Sequence, residues 1–431
     1  MKTFFLSSLL ALGALTASAQ VAGSWSGVLE ASKEVKLPLV INIADNGAAS
    51  LDSPDQGVYG LPLLVNANIG DSLSVSQPQL SLSFAGRLVK GKLSGTFTQG
   101  ALSLPLTLKP KTSADNAPKR PQTPKPPFPY STRPVAFLND ADGASLAGTL
   151  TLPDAPAPGT PVVLMVTGSG TQDRDETVMN HKPFAVIADA LARRGIASLR
   201  FDDRGAGEST GPLDSVTTAS NTRDAAAGLA WLRNQGSFGK VGVLGHSEGG
   251  RIAFALPADF IVAVAAPALR GDSILADQNL SMLLSSGVPM QTAIDYSDAL
   301  FHVLNGTPVD QAVASWQRTA LTEPLIENLE RVSLKHDPWM DYFVKDSPAA
   351  DIAATRVPIL ALYGDRDCQV TASLNAPRMR ALAPQADVRI LTGLNHMMQH
   401  SQTGLPAEYL KIEETIAPEA LDALITFILT L

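Results

Sequence analysis

Disulfide chemistry is missing from this chain. Its 431 residues hold one cysteine, Cys368, so no intramolecular bridge can form and stability must rest on buried cores. The ligand spacings that bind metals, Cys-x-x-Cys and His-Glu-x-x-His, do not occur, and no metal is expected. No glycine-rich loop ends in the Lys-Ser/Thr of a phosphate loop, and no Gly-x-Gly-x-x-Gly follows a strand-like run. No cofactor is expected either. Positive charge is scarce, with 33 Lys and Arg against 41 Asp and Glu and a net charge of −8, which argues against nucleic acid as a partner. Long hydrophobic runs are absent except between Phe4 and Ala17, and that run is shorter than the ~20 residues a spanning helix needs. With Lys2 ahead of it and Ala17-Ser18-Ala19 before Gln20, it reads as a secretory signal over residues 1–19. No cysteine follows the cleavage site to take a lipid, and no other membrane span is evident. An exported, soluble protein of the periplasm or medium is expected.

What is present is a hydrophobic content of 45%, ample for buried cores, on a length that allows two or three domains. Val35, Leu37, Leu39, Ile41 and Ile43 alternate with polar or shielded positions, as do Leu80, Leu82 and Phe84, and later Leu102, Leu104, Leu106 and Leu108. Period two means strands with one buried face, and the Gly, Asn, Asp and Ser turns between them predict a small antiparallel barrel or sandwich over residues 20–109. Gly23-Ser24-Trp25 is similar to the Gly-x-Trp of lipocalin-like barrels, with Trp25 read as a core residue. Residues 110–134 hold eight prolines and five Lys or Arg against one acid, the composition of an extended linker.

From residue 135 the rhythm changes to alternating strands and helices, predicting an α/β domain over 135–431. A leading hairpin covers 135–152, and buried strands are expected at 161–166, 196–201, 241–244, 260–266, 357–363 and 388–391. Helices are expected at 184–194, 221–234 and 417–431. Between about 273 and 346 the apolar spacing is helical throughout, which predicts a cap inserted over a site. Trp339, Met340 and Phe343 near its end are candidate pocket walls.

Gly245-His246-Ser247-Glu248-Gly249 closes the apolar run Val241-Gly242-Val243-Leu244 and opens into a small-residue helix. That context is the one in which Gly-x-Ser-x-Gly forms a tight strand-to-helix turn presenting a nucleophilic serine. Ser247 is the candidate. A base and an acid follow it in the order Ser, Asp, His. The strand at 357–363 delivers Asp365 and Asp367 at its C-terminal edge, where open α/β sheets build their sites. Asp367, followed by Cys368-Gln369 and apolar Val370, is preferred, and Asp365 reads as a turn former. Cys368 beside it reads as a packing residue. His396 follows the strand at 388–391 and is the candidate base, with His400 its competitor. His181, His302 and His336 fall in loops or the cap, and His246 lies inside the turn as a hydrogen-bonding residue. Backbone N–H groups of Glu248 and of Ser169, in Thr167-Gly168-Ser169-Gly170 after the strand at 161–166, are candidate oxyanion donors.

Together these segments resemble serine α/β-hydrolases of the serine-aminopeptidase-like group, and within it the EstD-type bacterial esterases. The resemblance is carried by residues 168–176, by Asp203-Arg204-Gly205-Ala206-Gly207-Glu208-Ser209, by Gly245 to Gly250, and by Leu394-Asn395-His396 with Thr403-Gly404. It implies the α/β-hydrolase fold, a triad of Ser247, Asp367 and His396, and hydrolysis of small carboxylic esters, with short acyl chains favoured. It implies that the 203–209 turn shapes the pocket wall. A serine aminopeptidase or amidase would use the same triad. A ligand-binding protein with a silent hydrolase scaffold is the third reading.

Overall fold

The computed structural model describes residues 21–30, 36–44, 47–53, 58–100, 102–111, 119–334 and 337–431. The expected signal at 1–19 and His336 lie outside them. The chain divides into two compact units, Met1–Ala117 and Pro118–Leu431.

In the first unit the alternating apolar residues form antiparallel strands, because side chains two apart share a face. They are β1 (Gly23–Glu30), β2 (Lys36–Ile43), β3 (Ala49–Ser53), β4 (Val58–Ile69), β5 (Ser72–Gln77), β6 (Leu82–Val89), β7 (Lys92–Gln99) and β8 (Leu102–Pro110). Each pairs with the next, and β1 pairs with β8 through Trp25 opposite Pro110 and Ser26 opposite Lys109. The sheet therefore closes into a barrel rather than splitting into a sandwich, and closure leaves no free edge. Ile41, Leu73, Val75, Phe84, Leu93 and Leu108 pack its interior. Trp25 is buried with them, its indole N–H donating to Ala22 O at 3.1 Å.

The second unit opens with the hairpin β9 (Ser131–Asn139) and β10 (Ala144–Leu152), followed by β11 (Thr160–Val166), α1 (Pro183–Ala192), β12 (Ala197–Phe201), α2 (Thr218–Asn234), β13 (Phe238–His246), α3 (Glu248–Ala253) and β14 (Ile261–Val264). A helical stretch follows, α4 (Gly271–Ser285), α5 (Met290–Leu304), α6 (Val309–Ala312), α7 (Glu323–Leu334) and α8 (Pro338–Phe343). Then come α9 (Ala349–Ala354), β15 (Ile359–Gly364), α10 (Ala372–Leu382), β16 (Asp387–Leu391) and α11 (Pro418–Leu429). The sheet runs β16-β15-β14-β13-β11-β12-β10-β9, parallel from β16 to β12 and antiparallel at the leading hairpin. Two apolar cores cover its faces: one carries Leu229 of α2, Ile252 of α3 and Met379 of α10, the other Phe184 and Leu191 of α1 with Leu424 and Ile428 of α11. A mostly parallel sheet with helices on both faces is the α/β-hydrolase arrangement.

Helix α2 starts three residues earlier than apolar spacing places it. Thr217 caps it: its hydroxyl accepts the Ser220 N–H at 3.2 Å, and Ser220 Oγ accepts the Thr217 N–H at 2.9 Å. This reciprocal box satisfies donors the helix leaves unpaired.

The Pro-rich stretch at 110–134 is not a spacer throughout. Arg120 donates to Met179 O and Ile412 O at 2.8 Å and to Leu410 O at 3.0 Å. Gln122 donates to Ile416 O at 2.7 Å and accepts from Ile416 N–H at 3.1 Å. Its second half is thus part of the hydrolase unit.

Candidate active site

Strand β13 ends at His246, and the chain reverses at Ser247 with φ 53° and ψ −120° before α3 begins. A positive φ is costly for a residue with a side chain, and such strain collects where geometry serves function. The turn is possible only because its flanks are bare. A Cβ at Gly245 would sit 2.0 Å from Gly249 O, and one at Gly249 would sit 2.1 Å from Val166 O.

The acid and the base meet across two strand ends. Asp367, just past β15, is buried, and its Oδ2 lies 2.8 Å from His396 Nδ1 beyond β16. Its other oxygen accepts the N–H groups of Gln369 at 2.7 Å and Val370 at 2.9 Å. The carboxylate is therefore fixed in orientation before it meets the ring. Asn395 holds the histidine turn by accepting from the N–H groups of Met397 at 3.0 Å and Gln399 at 2.9 Å. Asp365 is exposed and turned the other way, accepting the Gly393 N–H at 2.6 Å. His400 is exposed on the surface between Glu414 and Glu419, with Nδ1 2.9 Å from Glu414 and Nε2 3.1 Å from Glu419. Its pKa is raised chiefly by the Glu414 carboxylate. Cys368 is buried, with its thiol 3.4 Å from Ser285 Oγ.

Ser247 and His396 line one cavity of about 390 Å³, together with Ser169, Glu248, Trp339 and Phe343. Of the three cap residues expected as walls, Trp339 and Phe343 stack at 4.8 Å with an interplanar angle of 14° and face this cavity. Met340 lines a separate cleft with Val303 and Leu304. The loop after β11 lies against the serine: a Cβ at Gly168 would be 3.2 Å from Ser247 Cβ. Among the described residues, neither Ser169 N–H nor Glu248 N–H has an acceptor in the protein. Both line the cavity with Ser247.

Three carboxyl groups with no role in the sequence reading surround that loop. Glu176 Oε1 accepts the Gly168 N–H at 2.7 Å and lies 2.9 Å from His246 Nδ1. His246 Nε2 then reaches His396 O at 3.0 Å, so the ring bridges the serine turn and the histidine turn. Burial draws the His246 pKa down, but the Glu176 carboxylate more than offsets it, leaving it raised. Asp203 accepts the Thr167 hydroxyl at 2.9 Å and the Gln172 N–H at 2.9 Å. Burial pushes its pKa up to about 8. Glu248 is nearly fully buried, accepting from the Thr218 hydroxyl at 2.6 Å and from the Trp339 indole at 3.0 Å. Burial raises its pKa against these donors. The 168–176 and 203–209 segments were visible as patterns, but carboxylates pointing inward from different loops share no sequence spacing.

A model of the X-Pro dipeptidyl-peptidase family S15 matches residues 142–402, more than half of the chain. The chain belongs to that family. The S15 match contains Ser247, Asp367 and His396, while Arg120 and Gln122 lie ahead of it. The chain is also similar to the esterase EstD of Thermotoga maritima, with 29% identity over 281 residues, 62% of this chain and 61% of that protein. It thus spans less than two thirds of that relative's length. Among solved structures, an esterase of Pyrococcus furiosus shares 16% identity over 61% of this chain and 83% of its own, with a TM-score of 0.40. A proline iminopeptidase of Mycobacterium smegmatis shares 15% over 70% and 98%, with a TM-score of 0.43. Among the described residues no cluster of His, Cys, Asp or Glu could hold a metal ion, and no helix is long and apolar enough to cross a membrane.

Proposed function

We propose that this S15-family chain is a serine carboxylic-ester hydrolase acting through an acyl-enzyme. The observation that carries the reading is the 2.8 Å contact of His396 Nδ1 with buried Asp367, in a cavity that also presents the strained Ser247. Asp367 fixes the imidazole tautomer so that Nε2 takes the Ser247 proton as Oγ attacks the ester carbonyl. The carbonyl oxygen becomes an oxyanion held by the Ser169 and Glu248 N–H groups. Its collapse expels the alcohol, which receives the proton from His396. Water then attacks the acyl-serine by the same route and releases the acid.

The cavity of about 390 Å³ under the Trp339 and Phe343 rings suits a small ester. Likeness to a protein named as an esterase supports the ester class. An aminopeptidase reading needs a free carboxylate for the substrate ammonium. The two acids lining the cavity, Glu176 and Glu248, are already taken by protein donors. Residues 1–19 serve in this reading as an export leader.

A fluorophosphonate probe should label wild-type protein at Ser247 and leave Ser247→Ala unlabelled. On a panel of p-nitrophenyl esters and alanine p-nitroanilide, acetate and butyrate should turn over faster than dodecanoate, and the anilide slowest. A protein that binds no probe and cleaves no ester is a binding protein on a silent scaffold. A preference for the anilide would make it an aminopeptidase.

A further inference from the structure

Resting on the serine-hydrolase reading, we propose that the Glu248 side chain is a positioning group that latches the cap to the oxyanion hole, with Trp339 as the cap's half of the latch. Glu248 lies directly after the nucleophile, and its N–H is one of the two oxyanion donors. Its carboxylate is taken by protein donors. The Trp339 indole N–H reaches both of its oxygens at 3.0 Å, and the Thr218 hydroxyl of α2 reaches Oε1 at 2.6 Å. One side chain therefore ties together the cap helix α8, the body helix α2 and the first residue of α3. The Ser169 hydroxyl faces the same carboxylate from the opposite donor residue.

The consequence is conformational. Helix α3 is a single turn and a half, and its first N–H groups have no intrahelical acceptor, so the direction of the Glu248 N–H depends on what holds that residue. Thr218 supplies a fixed hold from the body. Trp339 supplies a hold that exists only when α8 is seated, and α8 itself is capped by Asp337, whose Oδ1 accepts the Met340 N–H at 2.8 Å. The same indole ring forms the pocket roof by stacking on Phe343. A substrate acyl group under that roof thus acts on the part that aims the oxyanion donor. The latch makes turnover sensitive to cap seating through transition-state stabilisation and not through substrate affinity.

Trp339→Phe keeps an aromatic roof and removes the N–H. The readout is a pair of inhibitors of the full-length protein: a trifluoromethyl ketone, which Ser247 captures as a tetrahedral oxyanion, and the methyl ketone of the same chain, which binds without addition. Complete loss of one oxyanion donor costs about a hundredfold or more, and a misaimed one should cost about tenfold. Trp339→Phe should weaken the trifluoromethyl ketone and lower kcat by about tenfold each, with the methyl ketone and KM changed less than about threefold. Glu248→Ala, which keeps the N–H but also loses the Thr218 hold, should cost at least as much, and the double variant should be no worse than Glu248→Ala alone, because the Trp339 N–H acts only through that carboxylate. Equal weakening of both inhibitors would make Trp339 a plain pocket wall and overturn the latch. So would additive losses in the double variant or an unchanged trifluoromethyl ketone. If Trp339→Phe does not fold, Glu248→Ala with the same inhibitor pair decides. A wild-type protein that neither fluorophosphonate nor trifluoromethyl ketone modifies would instead fail the serine-hydrolase reading itself.

Discussion

Two carboxylates two positions apart, Asp365 and Asp367, occupy one turn and have opposite surroundings. Asp367 is buried, with two backbone N–H groups on one oxygen and the His396 ring on the other. Asp365 is exposed and spends its oxygen on Gly393 N–H. Asparagine at 367 presents an amide to the ring and favours the wrong tautomer. Asp367→Asn should therefore lower kcat on p-nitrophenyl acetate by on the order of ten-thousand-fold, whereas Asp365→Asn should cost less than about tenfold by removing one exposed charge-assisted contact. Steady-state kinetics on both variants checks the ranking, and the reverse order would reassign the acid.

At the level of elements, the pocket rim is built from two loops that no strand pairing joins. Residues 176–181 and 406–416 contribute Met179 and Tyr409 to the cavity. His181 fastens them from inside, with Nε2 2.8 Å from Tyr409 O and Nδ1 3.0 Å from the Thr415 hydroxyl, and is fully buried. A carbonyl accepts only, so Nε2 carries the proton and Nδ1 accepts from Thr415. Burial pulls this histidine's pKa down to about 4. Between that value and the ordinary ~6.5 the unfolded chain binds a proton that the folded chain does not, so stability falls as pH falls through this window and is fully present above it. Urea unfolding of His181→Gln should depend on pH less steeply than wild type between pH 6.5 and 4, both measured at one ionic strength. Parallel slopes would assign the acid lability to other groups.

For the whole molecule, the second compact unit begins at Pro118, ahead of the S15 match at 142. Arg120 ties Met179 to Leu410 and Ile412, and Gln122 is tied to Ile416, so the segment before β9 closes the same two rim loops from outside. Hydrogen bonds from a charged donor contribute about 1.5–3 kcal/mol against a total stability of ~5–15 kcal/mol. A chain beginning at Lys119 should fold and hydrolyse p-nitrophenyl acetate within about tenfold of the full chain, a difference of ~1.4 kcal/mol in barrier. One beginning at Ser131 should show a lower urea midpoint and a raised KM. Equal midpoints for the two truncated chains would mean that the 119–130 segment is a spacer after all.

The order Ser, Asp, His spans distant segments and was readable only through the family resemblance. Period-two alternation, strand-helix rhythm and the glycine-flanked serine turn were readable from the sequence, because each is a local pattern dictated by backbone geometry. The helical stretch between β14 and β15 was readable for the same reason. Whether the first strands closed into a barrel was not, since closure depends on β1 meeting β8 far along the chain, Trp25 opposite Pro110 and Ser26 opposite Lys109. The latch between Trp339 and Glu248, the bridge from Glu176 through His246 to His396, and the Arg120 clamp were equally silent. In each, one polar side chain buried by its neighbours takes a partner from a distant loop. Such pairs are selected by the cost of leaving a buried donor or acceptor unsatisfied, and that cost arises only once tertiary packing has removed the water.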